Sequence, residues 1–306
     1  MRFLIFIKVL CAFFFAYFVA SAQETRIAYS DLIPNDFQKF LYNDTISLEK
    51  DSDTEITILS AYKSGSLPMI EDFLSDRLDI CVLALPEGSD FPLLDDDKIV
   101  KIPFGYKSSV VVVNEENPIS EITVDQLATI FSSSSKTSNL LSWRDLGLSS
   151  FSTNSIKAYA VKENNGISAD LFRFSVLSEK FFNSTVTFDV EDNVKRLIIQ
   201  DKAAVGVFPN IPENSNLKVL FVAQDDESIA YGPSIENLYY SDYFIRLPFY
   251  IVYKLRDSDR LSPLISTLLS DSVADILDNN DFFPLPKVIR EKSVSYTHLR
   301  AHETRI

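Results

Sequence analysis

Two segments that open helices hold the residues best suited to grip a ligand. The first is Ser64-Gly65-Ser66, ahead of Ile70, Phe73, Leu74 and Leu78, which are spaced as one helix face. Its hydroxyls and backbone N–H groups suit an oxyanion or a sugar-like hydroxyl, and equally suit a cap and a turn. The second is Lys162-Glu163-Asn164-Asn165-Gly166-Ile167-Ser168, between a strand pattern at Ile156–Val161 and a helical pattern marked by Leu171, Phe174, Leu177 and Phe181. Read alone, it is an ordinary helix start with Ser168 as its cap. Ser30, at the end of the first strand pattern, offers a further hydroxyl, while Asp31 beside it repels anions.

Other chemistries drop out. The only histidines, His298 and His302, fall in the terminal string SVSYTHLRAHETRI. That string has no hydrophobic period and resembles the read-through translation of a transposase sequencing adapter. Ser293 to Ile306 is therefore set aside as a non-native tail. Without histidine there is no Ser-His-Asp triad, no Cys-His pair and no histidine-containing metal site. No Ser/Lys or paired-carboxylate arrangement stands at a meaningful spacing. The expectation is a protein that is not an enzyme and uses no cofactor. The acidic runs Asp95-Asp96-Asp97 and Asp225-Asp226-Glu227 read as solvated loops. Tyr239, Tyr240, Tyr243, Phe244 and Tyr250 read mainly as core and strand packing.

Arg2 and Lys8, an apolar run from Val9 to Val19 and the small-x-small site Ala20-Ser21-Ala22 mark residues 1–22 as a secretory signal peptide. The run falls short of the ~20 apolar residues of a spanning helix, so no membrane insertion is expected after cleavage. The protein is expected to be periplasmic or secreted. The chain carries 43 acidic against 29 basic residues, a net charge of −14. Setting aside Arg2, Lys8, Arg300, Arg305 and Glu303 brings the mature charge to about −17. Such a surface excludes nucleic acid as a partner and repels anions at long range, so an anion site must depend on local donors. Cys81, in an apolar run, reads as a buried thiol.

Strand and helix signals alternate, which points to an α/β architecture with largely parallel pairing. Strand patterns stand at Thr25–Tyr29, Glu55–Leu59, Ile80–Ala84, Lys98–Asn114, Ile156–Val161, Ala203–Phe208, Lys218–Val222 and Phe244–Tyr253. Helical patterns stand at Asn35–Leu41, Thr123–Phe131 and Leu264–Leu277, with loops at Glu87–Asp97 and Ser132–Asn139. Thr123 and Gln126 have capping-box spacing. The two longest strand patterns, Lys98–Asn114 and Phe244–Tyr253, suit crossovers between lobes.

The order of motifs resembles the phosphate-type solute-binding proteins of ABC importers. It is carried by GYKSSVVVVNEENP (Gly105 to Pro118), Trp143 with Asp145 and Gly147, AlaAlaValGlyValPhe (Ala203 to Phe208), ArgLeuProPheTyr (Arg246 to Tyr250) and AspPhePheProLeu (Asp281 to Leu285). The resemblance implies a two-lobed periplasmic-binding-protein-like α/β fold, with mixed sheets flanked by helices and a hinge of two crossover strands. Lobe one would comprise residues 23–106 and 242–292, and lobe two 107–241. The partners implied are a small solute, with an oxyanion such as phosphate as the candidate, and an ABC permease; a monomer is expected. The implied ligand-binding residues are Ser30, Ser64, Gly65 and Ser66 in lobe one, and Lys162, Asn165, Gly166, Ile167 and Ser168 in lobe two. Lys162 stands where the family has Arg, Asn165 where it has Ser and Ile167 where it has Thr; Gly166 is kept. Leu83 and Ala84 stand where relatives place a carboxylate that accepts the proton of bound phosphate. The substitutions motivate an alternative: a degenerate binding-protein fold serving as a sensor or accessory module for a protein partner or organic ligand.

Overall fold

The computed structural model describes residues 23–48, 56–86, 94, 97–133, 141–147, 155–163 and 167–303. The signal-peptide segment, Asn165 and Gly166, and most of the loops expected at Glu87–Asp97 and Ser132–Asn139 lie outside the described residues.

In chain order, the first lobe begins with β1 (Gln23–Ser30), α1 (Asn35–Leu48), β2 (Ile56–Ser64), α2 (Ser66–Leu74), β3 (Ile80–Ala84) and β4 (Ile99–Ser108). The chain then crosses to β5 (Val110–Asn114), β6 (Glu121–Thr123), α3 (Val124–Phe131), β7 (Ala158–Val161), α4 (Ser168–Leu177), β8 (Thr187–Asp189) and α5 (Glu191–Gln200). Next come β9 (Val205–Phe208), β10 (Leu217–Val219), β11 (Phe221–Ala223) and α6 (Ile235–Tyr240). The chain returns through β12 (Arg246–Lys254), α7 (Ser258–Leu268), α8 (Asp271–Asp278), β13 (Phe283–Pro284) and α9 (Lys287–Glu303).

One lobe is built on a sheet of order β13-β4-β12-β3-β1-β2, the other on a sheet of order β10-β5-β9-β7-β8 beside the small pair β11-β6. Pairing is mixed rather than largely parallel. β1 runs parallel to β2 and β3, but β12 inserts antiparallel between β3 and β4. The wholly apolar strand runs are the central ones: every residue of β3 and β9, and Val110 to Val113 of β5, is buried. Such strands are covered on both faces by helices and therefore do not alternate.

Several single elements of the sequence reading are divided. The long pattern Lys98–Asn114 splits at Ser109 into β4 and β5, which belong to different sheets. Lys218–Val222 likewise splits into β10 and β11. Leu264–Leu277 is two helices, because Ser270 caps α8 by accepting from the Val273 N–H at 3.3 Å. The helix opened by Ser168 ends at Leu177 with Ser178 and Glu179 in the left-handed region (φ 50° and 64°). Phe181 therefore lies beyond it, and both Phe174 and Phe181 are exposed while Leu171 and Leu177 are buried. The terminal string that showed no hydrophobic period continues α9, with Val294 packed against the core.

Local chemistry accounts for the motifs. Thr123 Oγ1 accepts from the Gln126 N–H at 3.3 Å and Gln126 Oε1 accepts from the Thr123 N–H at 2.9 Å, a closed capping box. In the Asn-x-x-Asn-Pro turn, Asn114 Nδ2 donates to the carbonyls of Ile198 and Ile199 and Asn117 Nδ2 to that of Lys202, which pins the turn to the end of α5. Asp145 accepts from the N–H and hydroxyl of Ser142, both at 2.7 Å, and Gly147 takes φ +73° to close the Trp143 loop. Trp143 itself is fully buried and its Nε1 donates to the Ala203 carbonyl at 3.1 Å. Replacing a buried aromatic of this size leaves a cavity and an unsatisfied carbonyl. Trp143→Ala is expected to lower unfolding stability by about 3–5 kcal/mol in urea titration, whereas truncating the exposed Phe181 should change it by less than about 0.5 kcal/mol.

Candidate functional site

Between the two sheets lies a cleft of about 640 Å³. The first lobe contributes the turn after β1 (Asp31 to Asp36), Lys39, Lys63, Lys107, Asn280 and Asp281. The second contributes Val161, Lys162 and Glu163 from the end of β7, with Glu191 and Pro209. Strand ends and helix starts from both lobes thus face one space, where binding sites of open α/β sheets form.

The two lobes are joined where the chain crosses. The Ser108 hydroxyl and the Ser109 N–H both donate to the Ile245 carbonyl, at 2.8 and 3.2 Å, and the Tyr243 hydroxyl donates to the Ser109 carbonyl at 2.7 Å. The Ser109 hydroxyl donates to the Ser168 carbonyl, which ties the crossing to the first turn of α4. Lys107, immediately before this junction, lines the cleft.

The sequence-derived site residues divide. Lys162 lines the cleft, exposed, with its N–H donating to the Asp189 carbonyl at 2.8 Å. Ile167 holds the cap position of α4 without a side-chain cap hydrogen bond, and Ser168 is buried in its first turn. Ser168 is therefore not the cap expected of it; as the first helical residue, its N–H donates to Glu163 Oε2 at 2.8 Å and its hydroxyl donates to the same oxygen. In the first lobe, the Ser30 hydroxyl is buried and turned onto its own loop, accepting from the Leu32 N–H at 3.3 Å. The Ser66 hydroxyl donates to the Ala84 carbonyl at 2.7 Å, the Ser64 carbonyl accepts from the Asp31 N–H, and Gly65 precedes α2 in extended conformation. Ser30, Ser64, Gly65 and Ser66 are not among the residues lining the cleft; their neighbours Asp31 and Lys63 are.

Sequence reasoning missed Lys107, Lys63 and Asp281, and passed over Glu163. The one usable signal was Lys107, a lone charge inside the apolar run GYKSSVVVV. Lys107 is 8% exposed, donates to the Asn280 carbonyl at 3.1 Å and stands 4.6 Å from the centre of the Phe282 ring. Burial pushes its ammonium below the usual lysine range, against the pull of Glu163 and Asp281. Burial pushes the Asp281 carboxyl above the usual range, with Lys107 pulling the other way. Asp281 is also left-handed, at φ 59°, a conformation that Asp and Asn tolerate better than most. Elsewhere on the walls Asp36 pairs with Lys39 at 2.8 Å and Glu191 with Lys195 at 2.5 Å. The Asp225-Asp226-Glu227 run, away from the cleft, forms a turn in which Asp225 accepts from the Glu227 N–H and the Ser228 hydroxyl.

No protein-family model matches this sequence. Protein SphX of Synechococcus elongatus is 30% identical over 147 residues, which is 46% of this chain. The chain spans less than half, 42%, of that relative's length. PstS from Borrelia burgdorferi is similar over 86% of this chain and 99% of its own, with a TM-score of 0.63 at 17% identity. A possible phosphate binding protein from Planctomyces limnophilus is similar over 92% of this chain and 98% of its own, with a TM-score of 0.61 at 16% identity. The chain thus has the two-lobed periplasmic-binding-protein fold of these structures.

Asp281 supplies a pH test of the site. Its folded-state pKa is raised above the unfolded value, so its ionisation costs stability as pH rises from the ordinary carboxylate range, about 4, through the folded value. Asp281→Asn keeps the left-handed preference and removes that cost. The variant is expected to melt at or above the wild-type temperature at pH 7, with the difference shrinking as pH falls toward 4, by calorimetry across pH 4–8.

Proposed function

We propose that this protein is an extracytoplasmic solute-binding protein that captures a small oxyanion, with phosphate as the first candidate, in the cleft between its lobes. The observation that carries the reading is the cleft itself: about 640 Å³, walled by both lobes, with the buried ammonium of Lys107 beside their junction. The likeness in fold to structures described as a phosphate binding protein and as PstS supports it. In this reading residues 23–106 and 242–292 form one lobe and residues 107–241 the other, and the crossing at Ser109 and Ile245 is the hinge on which they close over the solute. The chain acts as a monomer that hands its solute to an ABC permease, and it binds rather than transforms. Export rests on the signal-like segment 1–22; no helix among the described residues is long and apolar enough to cross a membrane.

A second reading, a sensor or accessory module for an organic ligand, is favoured by one observation. Asp31, Asp36, Glu163, Glu191 and Asp281 line the same cleft as Lys39, Lys63, Lys107 and Lys162, so its walls are not uniformly positive. Isothermal titration of the mature protein with inorganic phosphate, arsenate and sulfate separates the two. The first reading expects saturable heat with phosphate at micromolar affinity or better; silence with every oxyanion, together with a co-purified organic molecule found by mass spectrometry, establishes the second.

A further inference from the structure

The first N–H of α4, that of Ser168, already has an acceptor. An anion gripped by a helix start takes the free N–H groups of the first turn and the positive end of the helix dipole. Here Glu163 provides that anion from within the chain, its Oε2 accepting from both the N–H and the hydroxyl of Ser168. Charge-assisted bonds of this kind are the strong ones, so an incoming anion must displace a carboxylate that is covalently tethered five residues away.

Lys107 is in the opposite condition. It is more than nine-tenths buried and lines the cleft. An ammonium has three donors, and among the described residues the Asn280 carbonyl is the one acceptor that Lys107 reaches. No carboxylate among the described residues forms an ion pair with it. Glu163 and Asp281 act on it only at longer range, so a bound anion would add a direct counter-ion together with acceptors for the spare donors.

We propose that Lys107, rather than the helix start at Ser168, is the anion anchor of the cleft, and that Glu163 is an internal competitor that keeps solute off that helix start. The inference rests on the solute-binding reading above. It assigns the two lysines of the cleft different weights: Lys107 binds the solute, while the exposed Lys162 contributes only long-range attraction. It also explains how the site can hold an anion although Ile167 offers no hydroxyl.

The test is titration of inorganic phosphate into the wild-type protein and three variants. Lys107→Met is expected to weaken binding about 10- to 100-fold, the value of a charge-assisted hydrogen bond. Lys162→Met is expected to change it less than about 3-fold. Glu163→Gln keeps an acceptor for Ser168 but removes the competing charge, and is expected to tighten binding several-fold. Wild-type binding that survives Lys107→Met, or that Lys162→Met weakens more than Lys107→Met does, overturns the anchor and leaves the proposed function standing. Should Lys107→Met not fold, the other arms decide: an unchanged or weaker affinity of Glu163→Gln refutes the competitor. Phosphate binding by Glu163→Gln where the wild type shows none supports it, and silence from both removes this inference and the phosphate reading together.

Discussion

The constraint on which the cleft depends is the hydrogen-bonded junction of the two chain crossings. Ser108 and Ser109 converge on one carbonyl, that of Ile245, and Tyr243 returns a bond to Ser109. Each lobe buries its own sheet, so this junction carries the covalent and hydrogen-bonded continuity between them. The Ser109 hydroxyl reaches on to the Ser168 carbonyl, so the first turn of α4 is tied to the junction. A helix start that is held this way keeps its position relative to Lys107, which immediately precedes the same junction. Lys107 and the first turn of α4 are therefore both tied to the same junction.

The electrostatics of the cleft follow from that placement. The chain is strongly acidic overall, and its long-range field disfavours anions. Attraction must come from short-range donors, which act more strongly where burial lowers the effective dielectric. Lys107 is the buried donor of the cleft: burial depresses its pKa, while Glu163 and Asp281 pull it the other way. Asp281 meets the complementary condition, a carboxyl whose ionisation is opposed by burial. Carboxylates and ammonium groups thus stand side by side on the walls of the same cleft.

What was legible in the sequence was whatever is decided within a few residues. The Thr123–Gln126 box, the Trp143 loop closed by Gly147 and the apolar runs of β3, β5 and β9 all follow from local spacing, and they stand as read. The breaks at Ser109 and Ser270 were not read, because the apolar pattern resumes just beyond each, at Val110 and at Val273. At Ser109 it is tertiary pairing to Ile245 that ends the element; at Ser270 it is a local cap, a Ser-Asp-Ser signal that the reading passed over. The site was less legible still. Hydroxyls at Ser30 and Ser66 look available in one dimension, yet each is spent on a nearby backbone group. Lys107, Asn280 and Glu163 come from three distant parts of the chain, and no local pattern brings them together.

The insertion of β12 between β3 and β4 has a consequence for the order of events during synthesis. β3 and β4 are complete once Ser108 has emerged, but neither can close its sheet until Arg246–Lys254 arrives between them. Until then each presents an open edge of unpaired backbone groups, and those of β3 belong to a wholly apolar strand. Non-local pairing of this kind slows folding. The second lobe, whose strands pair among themselves, has no such wait. The lobe that begins first therefore finishes last, and the half-made chain is at its most aggregation-prone while the second lobe is being completed.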